Sequence, residues 1–282
     1  MIRRMGRLHA RVAVVGHVEW VDFAIAERLP RPGEILQLTK FWAEAAGGGA
    51  VAAVQMAKLT GSALFLTALA QDELGRRTIE ELAAKHVTVH AGPRPGLQRR
   101  AFTYLTADGE RTITVLGDRL VPHGDDPLPW ETLDAFDGVY LTGGDAAAVR
   151  AARRAQVVVA TPRAEAGLRR SGVAVDVLVH SGTDAGEALQ PEELDPPPRT
   201  VVTTLGSKGG RWAGEAGTGS WEPEPLPGPV MDAYGAGDSF AAGLTTGLAA
   251  GLPIADAVRL GARCGAANMT GRGPYAGQLD FA

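Results

Sequence analysis

The sequence predicts an α/β protein in which a mostly parallel sheet is covered by helices on both faces. Three observations lead there. Short runs recur at 11–16, 63–70, 138–144, 156–162, 175–180 and 200–206, and each is mainly apolar without alternation, as suits a strand buried on both faces. Ala-rich stretches of helical length lie between them, at Asp72 to Lys85, Asp145 to Arg154 and Arg163 to Arg170. Strand and helix therefore alternate, which is the pattern of a parallel sheet.

The first run, Val12 to Val15, is the first strand. The opening 16 residues lack the long apolar region of a signal peptide. Two stretches break the alternation. One is Glu34 to Ala45. The other is Arg99 to Leu116, Thr-rich and aromatic, with the turn pair Asp108-Gly109 at its middle. Neither has a helix beside it, so together they predict a small antiparallel sheet, split in sequence, over about 18–46 and 97–117. Such a sheet beside the mouth of an α/β domain is a candidate lid. The residues from Gly214 to Gly228, rich in Gly, Pro and Glu, predict a surface loop. One helix is expected from Ile254 to Met269, and the chain as a whole, 1–282, as a single domain carrying the lid.

Composition narrows the function. With 45% hydrophobic and 21% charged residues the chain is an ordinary soluble globular protein. A net charge of −4 with scattered Lys and Arg predicts no nucleic-acid partner. No apolar run reaches 18 residues, so no membrane span is expected. One cysteine, Cys264, excludes an internal disulfide and suits a cytoplasmic location; set among Ala and Gly, it is expected in the core. The Gly-x-x-x-x-Gly-Lys-Ser/Thr loop is absent, as is a Gly-x-Gly-x-x-Gly after the first strand.

The chemistry is densest at Val230 to Leu244. Gly235-Ala236-Gly237 forms a turn into an apolar helix whose face is marked by Phe240, Leu244 and Leu248, and Gly251 with Pro253 stops it. The first turn of a helix has unpaired N–H groups and the positive end of the dipole, so it can hold a phosphate. Asp238 puts a carboxylate beside that site. A hydroxyl nucleophile that must lose its proton gives such a carboxylate a use. Asp22 lies just beyond the first strand, where ligands bind in open α/β sheets, and can accept two hydroxyl hydrogen bonds.

Asp232, the string Gly235-Ala236-Gly237-Asp238, Phe240 and Gly243 together resemble the C-terminal signature of the ribokinase-like (PfkB) family of sugar and nucleoside kinases. Thr204, Gly206, Ser207, Lys208 and Gly209 resemble its nucleotide loop, and Gly47-Gly48-Gly49 before an Ala-rich helix resembles its N-terminal signature. The resemblance implies a three-layer α/β/α fold with a β-sheet lid, ATP and Mg2+ as cofactors, and transfer to a hydroxyl of a sugar. Asp238 would be the catalytic base and Gly235, Ala236 and Gly237 the anion hole. Asp22, Gly47, Gly48 and Gly49 would hold the acceptor, and Asn268 would join the nucleotide loop in binding ATP. Asp184 or Glu187 would position Mg2+ through water, and K+ would sit near Asp232. The lid implies a homodimer contact.

The chain departs from the family where Val51 and Ser181 stand for Asn. Val51 suits a less hydroxylated acceptor. Trp20, Phe41, Trp42, Phe102 and Tyr104 could stack a base, which keeps a nucleoside acceptor open. Arg99, Arg100 or Arg111 could hold a phosphosugar. A ligand-binding regulator that has lost turnover is a further alternative, against which the intact Asp238 argues.

Overall fold

The computed structural model describes residues 6–106, 111–184, 187 and 189–281. Two sheets form. The larger has nine strands, in the order β13-β12-β11-β10-β9-β8-β1-β4-β5. Its members are β1 (Val12–Val15), β4 (Ala63–Ala70), β5 (Val87–Arg94), β8 (Gly138–Leu141), β9 (Val157–Ala160), β10 (Val177–Ser181), β11 (Thr200–Thr204), β12 (Gly210–Gly214) and β13 (Gly217–Trp221). Pairing is parallel from β5 across to β11 and antiparallel at β12 and β13.

Alternation along β1 shows why its residues are all apolar. Val12 and Val14 join one core, with Phe65, Tyr140, Val51 and Phe240. Ala13 and Val15 join the other, with Leu141, Val149 and Leu168. The helices α1 (Gly48–Thr60), α2 (Glu73–Ala83), α5 (Ala236–Ala249) and α6 (Ile254–Asn268) contribute to the first core. Helices α3 (Ala146–Ala152) and α4 (Glu165–Ser171) cover the second. The three layers are those the sequence predicts. Asp72 and Asp145 start α2 and α3 by accepting the N–H groups of Gly75 and Ala148, both at 2.8 Å. Cys264 is buried in α6, and burial pushes its thiol up to about 12.

The smaller sheet has the order β3-β2-β6-β7, from β2 (Glu19–Ala26), β3 (Phe41–Ala46), β6 (Arg100–Thr106) and β7 (Arg111–Leu116). It lies within the two stretches read as the lid, with Asp108-Gly109 outside the described residues. It is mixed rather than antiparallel throughout, because β2 pairs parallel with β6. Residues 34–40 are irregular, and β2 takes the place expected of them. The loop expected at Gly214 to Gly228 contains β13, which pairs with β12. Apolar alternation is absent there because the hairpin is packed by rings over glycines: Trp212 lies where a Cβ on Gly219 would be, at 2.2 Å, and Trp221 where one on Gly210 would be, at 2.3 Å.

β1 is flanked by β4 on one side and β8 on the other, and the chain runs outward in both directions from this pair. That makes β1/β8 the topological switch point, where ligands bind in open α/β sheets. At the strand ends the Thr142 side chain lies against Gly16, where a Cβ would sit 2.3 Å from its Cγ2.

Candidate active site

The first turns of two helices meet at this crevice. Gly47 turns the chain with φ +86° into α1, and Gly235 turns it with φ +79° into α5. Both angles favour glycine. A Cβ on Gly48 would stand 2.7 Å from Asp238 Oδ1 and 3.3 Å from Thr142 Oγ1, so the Asp238 carboxylate rests directly against the start of α1. Asp238 is in the first turn of its own helix as well. It remains partly accessible, yet it is ringed closely by protein. Desolvation pushes its pKa above the usual value, opposed by the guanidinium groups of Arg163 and Arg111 and by the Tyr140 hydroxyl.

Ser239 N–H bonds Gly235 O at 2.8 Å, while the N–H groups of Gly237 and Asp238 find no backbone acceptor among the described residues. A Cβ on Gly237 would meet nothing within 4 Å. This is an open backbone cradle suited to an anion. Val51 packs beneath it, fully buried, and a Cβ on Gly235 would stand 2.8 Å from Val51 Cγ1. Val51 therefore supports the glycine turn and does not face the crevice, contrary to its reading as an acceptor contact.

The turn at Gly47 is fixed by Tyr234, whose hydroxyl accepts the Gly47 N–H at 3.2 Å, and by Gly49, whose N–H donates to His17 O at 3.1 Å. Glu19 and Phe23 reach this region from β2. Glu19 Cγ would lie 3.3 Å from a Cβ on Gly47, and the Phe23 ring meets Tyr234 edge-on at 4.9 Å. Strand alternation sends Asp22 to the opposite face. There it accepts a hydrogen bond from Arg100 at 2.8 Å. The structure thus does not bring Asp22 to the crevice, and Glu19 stands nearer than the carboxylate the sequence singled out.

Across the sheet, Gly206, Ser207 and Lys208 form an exposed turn after β11, and a Cβ on Gly206 would meet nothing. Thr204 Oγ1 donates to His180 O at 3.4 Å. Gly209 has a packing role instead: its φ is +73°, and a Cβ there would stand 2.0 Å from Trp221 O. Asn268 is fully buried, and its Nδ2 donates to Pro274 O at 2.9 Å, so it holds the C-terminal loop rather than facing a nucleotide. Asp232 clasps the same loop, accepting from Tyr234 N at 2.8 Å and Gly273 N at 2.7 Å, and burial raises its pKa.

Asp184 and Glu187 line a cleft of about 370 Å3 together with Arg119 and Arg163. Glu187 accepts the Ser181 N–H at 2.8 Å, and its other oxygen is 4.0 Å from Arg163 Nε. Two carboxylates at an open cleft fit Mg2+, which keeps most of its waters.

His17, Tyr140, Thr142 and Arg163 were not singled out in the sequence. Thr142 and Arg163 lie just past the ends of β8 and β9, so the strand-end rule would have found them. His17 follows β1 in the same way. Thr142 Oγ1 is buried without a hydrogen-bond partner among the described residues.

No helix among the described residues is long and apolar enough to cross a membrane. Fructoselysine 6-kinase of Escherichia coli K12 is 38% identical over 77 residues, which span 27% of this chain and 28% of that protein. Ribokinase of Giardia lamblia superposes with a TM-score of 0.81 at 18% identity, covering 96% of this chain and 98% of its own. Arabidopsis thaliana ribokinase, complexed with ribose and ATP, gives 0.75 at 20%, covering 98% and 97%. The pfkB family carbohydrate kinase model matches residues 9–181 and 180–280, and with nearly the whole chain matched, the protein belongs to that family.

Proposed function

We propose that the chain is an ATP-dependent kinase that phosphorylates a primary hydroxyl of a sugar or sugar-like alcohol. The observation that carries this reading is the meeting of Asp238 with the first turns of both α1 and α5. An acceptor hydroxyl lying over Gly47 to Gly49 would give its proton to Asp238 as its oxygen bonds the terminal phosphorus of ATP and the bond to ADP breaks. The N–H groups of the Gly235 to Gly237 turn would stabilise the charge of the phosphoryl in transit. Asp184 or Glu187 would hold Mg2+, which when bound would supply positive charge against the phosphates of ATP. The exposed turn from Gly206 to Lys208 would take the nucleotide phosphates.

Sheet order supports this division. The acceptor turn abuts β1, and the nucleotide loop follows β11, four strands away. At about 4.8 Å per strand, that is about 19 Å. Asp238, Thr142 and Arg163 lie between. K+ would belong against Asp232, and a homodimer would use the outer face of the lid, where Phe102 and Tyr104 pack at 4.8 Å.

The nucleoside reading is less supported. Of the five aromatic residues offered for it, the register puts Trp20, Phe41, Phe102 and Tyr104 on the Asp22 face. Trp42 alone shares the Phe23 face, and it is stacked on Phe23 at 5.1 Å.

The test is ADP release with Mg-ATP across pentoses, hexoses, phosphosugars and nucleosides, run beside Asp238→Asn. One acceptor should give strong turnover, and the variant should lose about 10²–10⁴ of it while still binding ATP. Near-wild-type turnover by Asp238→Asn would refute the base assignment. Ligand binding without ADP release from any acceptor would favour a regulator.

A further inference from the structure

Three arginines converge near the residues that follow β1, and one of them lacks a close carboxylate partner among the described residues. Arg99 precedes β6 and Arg119 follows β7, so both stand at the base of the lid hairpin. Arg163 approaches from the end of β9, and the Arg119 guanidinium donates to its carbonyl oxygen at 3.3 Å. All three surround His17, which is 3% exposed and sits beside the Gly47 turn. Arg99 is balanced by Glu19, with Nε 2.8 Å from Oε1. Arg163 faces Asp238 and Glu187. Arg119 has no carboxylate within 4 Å among the described residues, yet it lines the cleft. Burial and the fields of Arg99 and Arg163 push its pKa down, and the same guanidinium groups keep His17 neutral after burial. A like-charged cluster that lowers its own stability needs a counter-charge. Guanidinium groups match carboxylate and phosphate in bidentate geometry.

We propose that the acceptor itself is anionic, and that Arg119 with Arg99 binds its carboxylate or phosphate beside His17 while its hydroxyl faces Asp238. This rests on the kinase reading above and names the acceptor class. Arg99 is tied to Glu19 of β2, and Arg119 stands near His17 after β1 while also lining the cleft of Asp184 and Glu187. Arg163 faces the transferred group.

The experiment uses matched probes: glucose against gluconate, and fructose against fructose 1-phosphate and fructose 6-phosphate. Each is assayed for ADP release and for thermal shift in the presence of a non-hydrolysable ATP analogue, in wild type, Arg119→Gln, Arg119→Lys and Arg99→Gln. At least one anion should exceed its neutral partner by about 10-fold or more in kcat/KM. Gluconate and the fructose phosphates separate a carboxylate from a phosphate. Arg119→Gln should remove most of that preference through acceptor KM, with ATP affinity held, and Arg119→Lys should restore part of it. Preference for the neutral partners would overturn the proposal, as would a preference that survives both Gln variants, or a loss in Arg119→Gln that falls on ATP affinity. Should no probe release ADP, thermal shift decides separately. A shift by an anion that Arg119→Gln abolishes upholds the anion site while the kinase reading fails, and no shift by any anion sinks the proposal itself.

Discussion

At the scale of the residue, Asp238 is held in tension. Its carboxylate is desolvated, and the helix starts and arginines around it only partly offset that cost. The sign follows. A folded pKa raised above the unfolded one means that the folded state binds the proton more readily, so stability is higher in acid and falls as pH rises through the folded pKa. At neutral pH the ionised group is a net cost. Asp238→Asn should therefore raise the melting temperature at pH 7 while it removes turnover, and a lower melting temperature would contradict the burial argument. The same shift predicts that the acid limb of kcat/KM lies above the ordinary carboxylate value of about 3.9. A pH profile measured from 4 to 8 checks this. The place of Asp238 at a helix start was readable in the sequence because glycine turn and apolar helix adjoin there. Asp22 was not, since a single-residue offset on a strand sends a side chain to the other face, and only β2's pairing reveals which face that is. His17 and Thr142 carry no motif, and their importance comes from strands distant in sequence meeting at one end of a sheet.

At the scale of the element, α1 and α5 depend on their glycine turns. Gly235 has φ +79° with Val51 beneath it. Gly235→Ala should cost about 1–3 kcal/mol from backbone strain, and more from the clash. Adding Val51→Ala should recover the steric part and not the strain, which a double-mutant cycle by urea unfolding would read as a favourable coupling. The smaller sheet is anchored by its own contacts. Phe23 stacks on Trp42 and meets Tyr234, Tyr275 donates its hydroxyl to Ala45 O, and Arg111 donates to Ala233 O at 2.7 Å. Phe23→Ala should lower stability by about 3–5 kcal/mol, the usual cost for a buried ring. It should also raise ATP hydrolysis without acceptor relative to transfer, because a loosened lid admits water. Unchanged partitioning would separate the lid from water exclusion. The parallel strands were legible as apolar runs because both faces are buried. β13 was not, because Trp212 and Trp221 pack across Gly219 and Gly210, contacts with no periodicity.

At the scale of the whole molecule, the two cores share the strands of one sheet, and every residue of β1 and β8 is buried. The lid differs: each residue of its edge strand β7 is exposed. Hydrogen exchange should find β1 and β8 slowest and β7 fastest, and we propose that the lid opens as a unit apart from the body. Uniform protection across both sheets would contradict that. The architecture and the order of motifs along the chain were legible in the sequence, whereas the crevice was not, being built by strand order rather than by chain order. The contact between Gly48 and Asp238 has an evolutionary consequence. Because Gly48 at the start of α1 touches Asp238 on α5, no side chain can be added at that position without displacing the carboxylate. Laboratory selection for a new acceptor should therefore leave Gly48 untouched and collect its changes on β2, β6 and the arginines at the lid base, where the chain can vary without disturbing the chemistry.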